Sequence, residues 1–254
     1  MATTTINSWT YEVDGTDGND AFIFNAGAYD VDTGEGNDTV QINNGSSITN
    51  LDLGNGTNQV FGTDAGYIGN LEGGDGTENV TLGTAGAVNV DLGEGANFLY
   101  SAGWVEYYVG GDGTDVVELD AGGGSVELGG GDDVFRAEAF VNNVYGEDGD
   151  DTFETNSSGN FYGGADDDTF NFEYENNGAN VTFDGGTGTD TLNIEVDSWD
   201  DVDFGQLSDD LSDYASTGEA TLSDYGVTIE DVDVINIIVD GQTVETYDYG
   251  DLFA

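Results

Sequence analysis

The chain has no cysteine, no histidine, no proline and a single base, Arg136, among 254 residues. Without cysteine there is no disulfide framework and no thiol redox chemistry. Without histidine as well, Ser-His-Asp and Cys-His nucleophilic systems and HExxH zinc sites are excluded. Only carboxylate chemistry remains open to an enzyme. Nothing in the sequence resembles a membrane-spanning run, and Met1-Ala-Thr-Thr-Thr-Ile-Asn-Ser-Trp9 has neither the basic nor the apolar region of a Sec signal peptide, so either a mature start or export by another route is expected.

What the chain does have is acid: 53 Asp and Glu give a formal charge of −52. Two carboxylates ~4 Å apart repel by roughly 1 kcal/mol in bulk water and by far more when partly desolvated, so stacked acids call for cations. The same charge repels nucleic acid and anionic lipid, so neither a nucleic-acid partner nor membrane insertion is expected. Glycine contributes 42 residues, and a hydrophobic content of 37% supplies a core only if that core is thin and repetitive, as in a solenoid.

Self-similarity shows ten copies of a Gly-rich turn followed by a short strand, spaced 17 to 22 residues apart. Clear copies are Gly73-Gly-Asp-Gly-Thr-Glu-Asn-Val80, Gly110-Gly-Asp-Gly-Thr-Asp-Val-Val117 and Gly185-Gly-Thr-Gly-Thr-Asp-Thr-Leu192. The sixth turn position is Asp20, Asp38, Asp115, Asp133, Asp151, Asp168 and Asp190, with Asn58, Glu78 and Asn97 as exceptions. The second and fourth positions are mostly glycine, among them Gly18, Gly34, Gly36, Gly74, Gly76, Gly111, Gly113, Gly129, Gly131, Gly149, Gly164, Gly186 and Gly188. Thr16 and Glu147 depart from glycine at the second position and Asp166 at the fourth. Glycine is expected where the backbone takes φ > 0 or brings a carbonyl close to an ion.

Two residues after the sixth position every copy is apolar, from Phe22 and Val40 through to Phe170 and Leu192, and the alternation continues through Phe24, Ile42, Leu82, Leu119, Phe172 and Ile194. Seven residues before it stands a second apolar column: Val13, Val31, Leu51, Leu71, Val90, Tyr108, Val126, Val144, Phe161 and Phe183. Period-two patterning predicts two strands per coil, and helix periodicity is nowhere comparable. The expected fold is all-β: a right-handed parallel β-roll of about ten coils of roughly 18 residues, spanning 1–196, with a β-rich cap over 197–254. If that register holds, Arg136 stands between Glu118 and Glu154 on the outer face of one sheet.

These turns resemble the GGxGxDxUx nonapeptide of RTX (repeat-in-toxin) β-rolls. The resemblance implies several Ca²⁺ ions in a row, each between neighbouring turns of one edge and held by their aspartates and carbonyls. Aspartate pairs intact for this are Asp20/Asp38, Asp115/Asp133, Asp133/Asp151, Asp151/Asp168 and Asp168/Asp190. Weaker binding is expected through Asn58, Glu78 and Asn97, where amides bring no charge and Glu is one methylene longer. Calcium suits an all-oxygen site of forgiving geometry better than magnesium, which resists dehydration. RTX rolls commonly carry the nonapeptide on both edges. Here the opposite connections, Asn43-Asn-Gly-Ser-Ser47, Gly83-Thr-Ala-Gly86, Gly122-Gly-Gly124 and Asn176-Asn-Gly178, lack the aspartate, so one metal row is expected.

The C-terminal Asp248-Tyr-Gly-Asp-Leu-Phe-Ala254, acidic then apolar, resembles the uncleaved signal of type I secretion substrates. The expected function is that of a secreted, non-enzymatic calcium-binding structural protein of a surface layer, filament or matrix, with other copies of itself as partner. The alternative is a calcium-dependent adhesin or carbohydrate-binding module, with cell-surface polysaccharide as the ligand class and Trp9, Trp104 and Trp199 as the aromatics available to it. No pair among so many acids stands out as catalytic.

Overall fold

Short segments that alternate apolar and polar residues hide only one side of a strand, and each is too short to be stable alone. Stacking copies in register lets every coil bury that side against its own second strand and pair its backbone with its neighbours. The computed structural model shows this arrangement. It describes residues 2–43, 45–62, 66–175, 177–199 and 202–249. Asn44 and Asn176 of the opposite-edge turns, Asp200, Asp201 and residues 250–254 of the expected secretion signal lie outside the described residues. The chain divides into two compact units, Met1–Gly129 and Gly130–Ala254. Both are β-solenoids, with about ten turns between them.

In the first unit one parallel sheet runs in the order β1 (Ala2–Ile6), β3 (Asp20–Phe24), β5 (Thr39–Ile42), β7 (Gly56–Gly62), β9 (Gly76–Leu82), β11 (Phe98–Ser101) and β13 (Val116–Leu119). The other runs β2 (Thr10–Asp14), β4 (Ala28–Asp32), β6 (Ile48–Asp52), β8 (Ile68–Glu72), β10 (Ala87–Asp91), β12 (Val105–Val109) and β14 (Gly123–Gly130). The registers are those of the repeat: Phe22 opposes Val40, Val40 opposes Val60, and Val31 opposes Leu51. Val40, Val60, Val80, Leu99 and Val117 are buried from one sheet and Leu51, Leu71, Val90 and Tyr108 from the other.

In the second unit one sheet holds β15 (Val134–Ala137), β17 (Thr152–Thr155), β19 (Thr169–Tyr174), β21 (Thr191–Val196), β24 (Val234–Val239) and β25 (Gln242–Asp248). The other holds β16 (Val141–Asp148), β18 (Gly159–Ala165), β20 (Val181–Thr187), β23 (Val227–Glu230) and β22 (Glu219–Leu222). Its core is aromatic. Phe153 stacks on Phe170 with ring centroids 4.9 Å apart, and Phe170 meets Phe183 of the opposite sheet at 4.8 Å. Burying each such ring contributes roughly 1.5–3 kcal/mol. On the outside, Arg136 Nε donates to Glu154 Oε2 at 2.7 Å, the Glu154 half of the expected arrangement.

Beyond residue 196 the structure adds two things to the sequence reading. First, β23 pairs parallel with β20 and β24 with β21, so one more coil follows the ten recognised turns. Antiparallel β22 and β25 then end the two sheets. Second, the polar stretch before it forms a helix, α1 (Phe204–Thr217), where only strands are expected. Asp203 caps it by accepting from the amides of Gly205 and Gln206, and Gly218 ends it in the left-handed region. Leu207, Leu211 and Tyr214, at i, i+4 and i+7, are its buried stripe. Three apolar side chains among acids and serines make a faint periodicity.

Candidate metal centre

Each Gly-rich turn delivers its sixth residue into the interior, so a column of acids and amides runs through each unit beside the apolar core. Asp38, Asn58, Glu78, Asn97 and Asp115 in the first unit, and Asp133, Asp151, Asp168 and Asp190 in the second, are all at most 3% exposed. A hydrogen-bond ladder holds them: the amide of one donates to the side-chain oxygen of the next. The links are Asp20 to Asp38 (2.7 Å), Asp38 to Asn58 (2.9 Å), Glu78 to Asn97 (2.9 Å) and Asn97 to Asp115 (2.8 Å). In the second unit they are Asp133 to Asp151 (2.8 Å), Asp151 to Asp168 (2.9 Å) and Asp168 to Asp190 (2.9 Å). Four of the five expected aspartate pairs are thus adjacent. The fifth, Asp115/Asp133, has its members in different units.

The ladder uses one carboxylate oxygen per rung. The second oxygen of Asp38, Glu78, Asp151, Asp168 and Asp190 is buried with no hydrogen-bond partner among the described residues. Burying an ionised carboxylate without a partner costs several kcal/mol, so these oxygens need a proton or a cation. Burial pushes Glu78, Asp151 and Asp168 up to about 7, and Asp115 and Asp190 up to about 6. Asp20 differs: its Oδ2 accepts from the Thr16 amide at 2.9 Å and the Thr16 hydroxyl at 2.8 Å. Threonine in place of glycine at this second position therefore adds a hydroxyl donor to the backbone amide.

The first position of the turn carries a signal that the sequence reading passed over. It is glycine before Asp20, Glu78, Asp115, Asp151, Asp168 and Asp190, and leucine before Asn58, Asn97 and Asp133. At Gly110, Gly146 and Gly163 the following ladder carboxylate occupies the space a Cβ would need. The same cradle is lined by a neighbouring turn's carbonyl: that of Gly163 at Gly146, and that of Gly185 at Gly163. Carboxylate and carbonyl oxygens therefore converge on one side of each turn, with no nitrogen or sulfur donor, which is the chemistry of a hard cation.

Among the predicted glycines, Gly36, Gly76, Gly113, Gly131, Gly149 and Gly188 of the fourth position have φ between 121° and 159°, and Gly34, Gly111, Gly129, Gly164 and Gly186 of the second are also positive. Gly18 and Gly74 are not. Gly74 is needed for close approach, because a Cβ there would lie 2.8 Å from the Gly54 carbonyl, whereas Gly18 has open space. Glu147 (φ 81°) and Asp166 (φ 77°) take the left-handed conformation without being glycine.

Two further residue sets escaped the sequence reading. The fifth turn position builds an outer ladder of opposite sense. Asp150 donates from its amide to Asp132 Oδ1 (3.1 Å), Asp167 to Asp150 Oδ1 (2.9 Å) and Thr189 to Asp167 Oδ1 (2.8 Å). Alternating Asn, Thr, Ala and Asp in sequence, it presented no pattern. Asp233 is a further rung, accepting from the Asp190 amide at 2.9 Å. Its turn, Asp231-Val232-Asp233, has dropped the Gly-rich segment that marks the others, although Ile235 and Ile237 keep the usual spacing.

The opposite edge is built from neutral groups that satisfy one another. Asn25 donates to Asn7 Oδ1 (2.9 Å), Asn43 to Asn25 Oδ1 (3.2 Å), and Ser101 Oγ closes its own turn on the Gly103 carbonyl (2.9 Å). Among the described residues, the buried carboxylate oxygens that lack a partner lie in the ladder of the Gly-rich turns. Comparison with protein-family models, with curated proteins and with solved structures returned no match.

Proposed function

We propose that this is a calcium-binding structural protein of the RTX β-roll type, secreted, whose folding is coupled to calcium and which self-assembles into a surface layer, filament or matrix. One observation carries the reading: the buried carboxylates of Asp38, Asp151, Asp168 and Asp190, each with one oxygen on a backbone amide and the other without a partner among the described residues, beside turn carbonyls. Asp38, Glu78, Asp115, Asp133, Asp151, Asp168 and Asp190 would hold the ions, with carbonyls of the adjoining glycines completing the oxygen set. Calcium supplies positive charge that no side chain provides there. At submicromolar calcium the acids repel and the chain remains largely unfolded, competent for threading through a secretion channel; at millimolar calcium, binding and the folding of the acid-bearing coils become one event. A structural role is supported by the stacked coils, which make up most of the described residues.

The test is circular dichroism and electron microscopy of the purified protein in calcium and in chelator. Calcium-dependent β-structure and ordered assemblies that dissolve in chelator are expected. An unchanged spectrum and no bound calcium would reject the metal reading, and calcium-bound persistent monomers would reject the assembly.

A second reading, a calcium-dependent adhesin or carbohydrate-binding module, is favoured by the aromatics of the first unit. Trp9 and Tyr11 are 65% and 62% exposed, and the Tyr11 and Tyr29 rings stack at 5.0 Å. Exposed rings offer faces for sugar stacking. Glycan binding by monomers, lost in Trp9→Ala, would select this reading.

A further inference from the structure

Not every rung of the ladder asks for a cation. Asn58 and Asn97 sit in the column at 0% and 3% exposure, and each must present its oxygen to a backbone amide: Asn58 Oδ1 accepts from Asp38 and Asn97 Oδ1 from Glu78, both at 2.9 Å. That fixes the amide orientation, because an NH₂ group facing an N–H would be repelled. The nitrogen then falls where the aspartates of other turns have their partnerless oxygen. Asn58 Nδ2 donates to the carbonyls of Leu53 and Gly54 and to Glu78 Oε1, each at 3.2 Å. Asn97 Nδ2 donates to the Gly93 carbonyl at 3.0 Å. The Leu53 carbonyl, and that of Gly110 which Asn97 Nδ2 reaches at 3.5 Å, occupy the first turn position that lines the cradle at Gly146 and Gly163, and those of Gly54 and Gly93 follow it at the second. Leu53 and Leu92, both fully buried, fill the first turn position with apolar bulk where the acid-bearing turns other than those of Asp38 (Thr33) and Asp133 (Leu128) keep glycine.

On the calcium reading above, we infer that Asn58 and Asn97 are built-in substitutes for the cation: a carboxamide N–H₂ takes over the turn carbonyls, so these coils close without metal. Thr16 does the same for Asp20 from outside the column. Metal dependence is therefore divided along the chain. The stretch from β6 to β11, residues 48–101, has its own donors at two of its three ladder positions, Asn58 and Asn97, and keeps a partnerless oxygen at Glu78. Residues 151–196, with Asp151, Asp168 and Asp190 in succession and no amide in the column, are held by calcium. A chain exported unfolded would thus keep a segment able to form before calcium is bound.

Hydrogen–deuterium exchange of the full chain at neutral pH, in EDTA and in calcium chloride, tests this together with bound calcium measured by atomic emission. In EDTA, amides of 48–101 are expected to keep their protection and those of 151–196 to lose it, with calcium restoring the second set. Asn58→Asp with Asn97→Asp is expected to make 48–101 chelator-sensitive too and to add roughly one ion per substituted coil. Should that variant fail to fold even in calcium, the reverse change, Asp151→Asn with Asp168→Asn, is expected to lower bound calcium and to protect 151–196 in EDTA. Simultaneous loss of both stretches in wild-type protein on chelation, or no gain of protection in the reverse variant, overturns the substitution idea while leaving calcium binding intact. No bound calcium, with no difference between EDTA and calcium anywhere, overturns the calcium reading itself.

Discussion

The Tyr214 hydroxyl makes both hydrogen bonds of the Val232 peptide groups: it donates to the Val232 carbonyl at 2.7 Å and accepts from the Val232 amide at 2.6 Å. Val232 is fully buried, in the one ladder turn that has lost its glycines. Helix α1 thereby provides, from a tyrosine, the closure that a Gly-rich turn otherwise supplies. Tyr214→Phe removes both partners and leaves a buried donor and acceptor unsatisfied, at about 1–3 kcal/mol for each group. Denaturant unfolding in calcium is expected to show the second unit weakened by several kcal/mol, with calcium binding at the Asp151 and Asp168 turns retained. An unchanged midpoint would show that water replaces the hydroxyl at no cost.

The ladder makes the metal-free protein sensitive to pH in an unusual direction. Burial raises Asp151, Asp168 and Glu78 to about 7 from unfolded values of 3.8 to 4.5. Between those limits the folded state binds more protons than the unfolded one, so stability falls as pH rises. Each group contributes on the order of a few kcal/mol across the window, since one pKa unit corresponds to about 1.4 kcal/mol. In EDTA the β-structure of 151–196 is expected to be retained near pH 4.5 and lost as pH passes 6 to 7. In saturating calcium the loss on raising pH disappears. Melting in chelator that is independent of pH from 4.5 to 7.5 would contradict the placement of these carboxylates.

Glycine at the first turn position is a test of the cradle. Gly163→Ala puts a methyl group 2.1 Å from Asp168 Oδ2 and 2.5 Å from the Gly185 carbonyl, and the Asp168 carboxylate is held through Oδ1 in the ladder. Overpacking of this kind costs typically about 1–3 kcal/mol, and here it also displaces a ligand oxygen. Reduced stability with a tenfold or greater loss of calcium affinity is expected in titration calorimetry. Gly18→Ala is the control: φ there is not positive and the nearest atom to its added carbon is 3.9 Å away. It is expected to be close to neutral in both measurements.

How much of this was readable in advance follows from what period-two spacing can and cannot carry. Phe22, Val40 and their successors two residues past each ladder position recur because every coil must bury the same side, so strands, register and the inner column follow from counting. Of the other column only Val13 is half-buried instead of buried. Asp233 was not readable: its coil is separated from Asp190 by an insertion that contains α1, and its turn is too short to show glycines. The roles of Thr16, Asn58 and Asn97 were readable only as departures from aspartate and glycine. What those departures accomplish depends on which atoms the nitrogen or hydroxyl reaches, and no spacing rule states that. The outer ladder at Asp132, Asp150 and Asp167 was hidden because it needs only a short side-chain oxygen, which several residue types provide.

That outer ladder separates charge from geometry. Asp150 accepts from the Asp167 amide, and its charge is among those that raise Asp151 and Asp168. Asp150→Asn keeps the acceptor and removes the charge. Without calcium it is expected to stabilise the second unit, because at neutral pH less repulsion acts on the inner carboxylates, an effect that added salt reduces because Asp150 is exposed. With calcium, the same change is expected to weaken ion binding several-fold, because the cation loses a negative neighbour. Asp150→Ala loses both charge and acceptor, leaving the Asp167 amide without its partner, and is expected to fall below Asp150→Asn in stability in either condition. If the two variants behave alike, the ladder oxygen at Asp150 has no structural role and the outer row acts through charge alone.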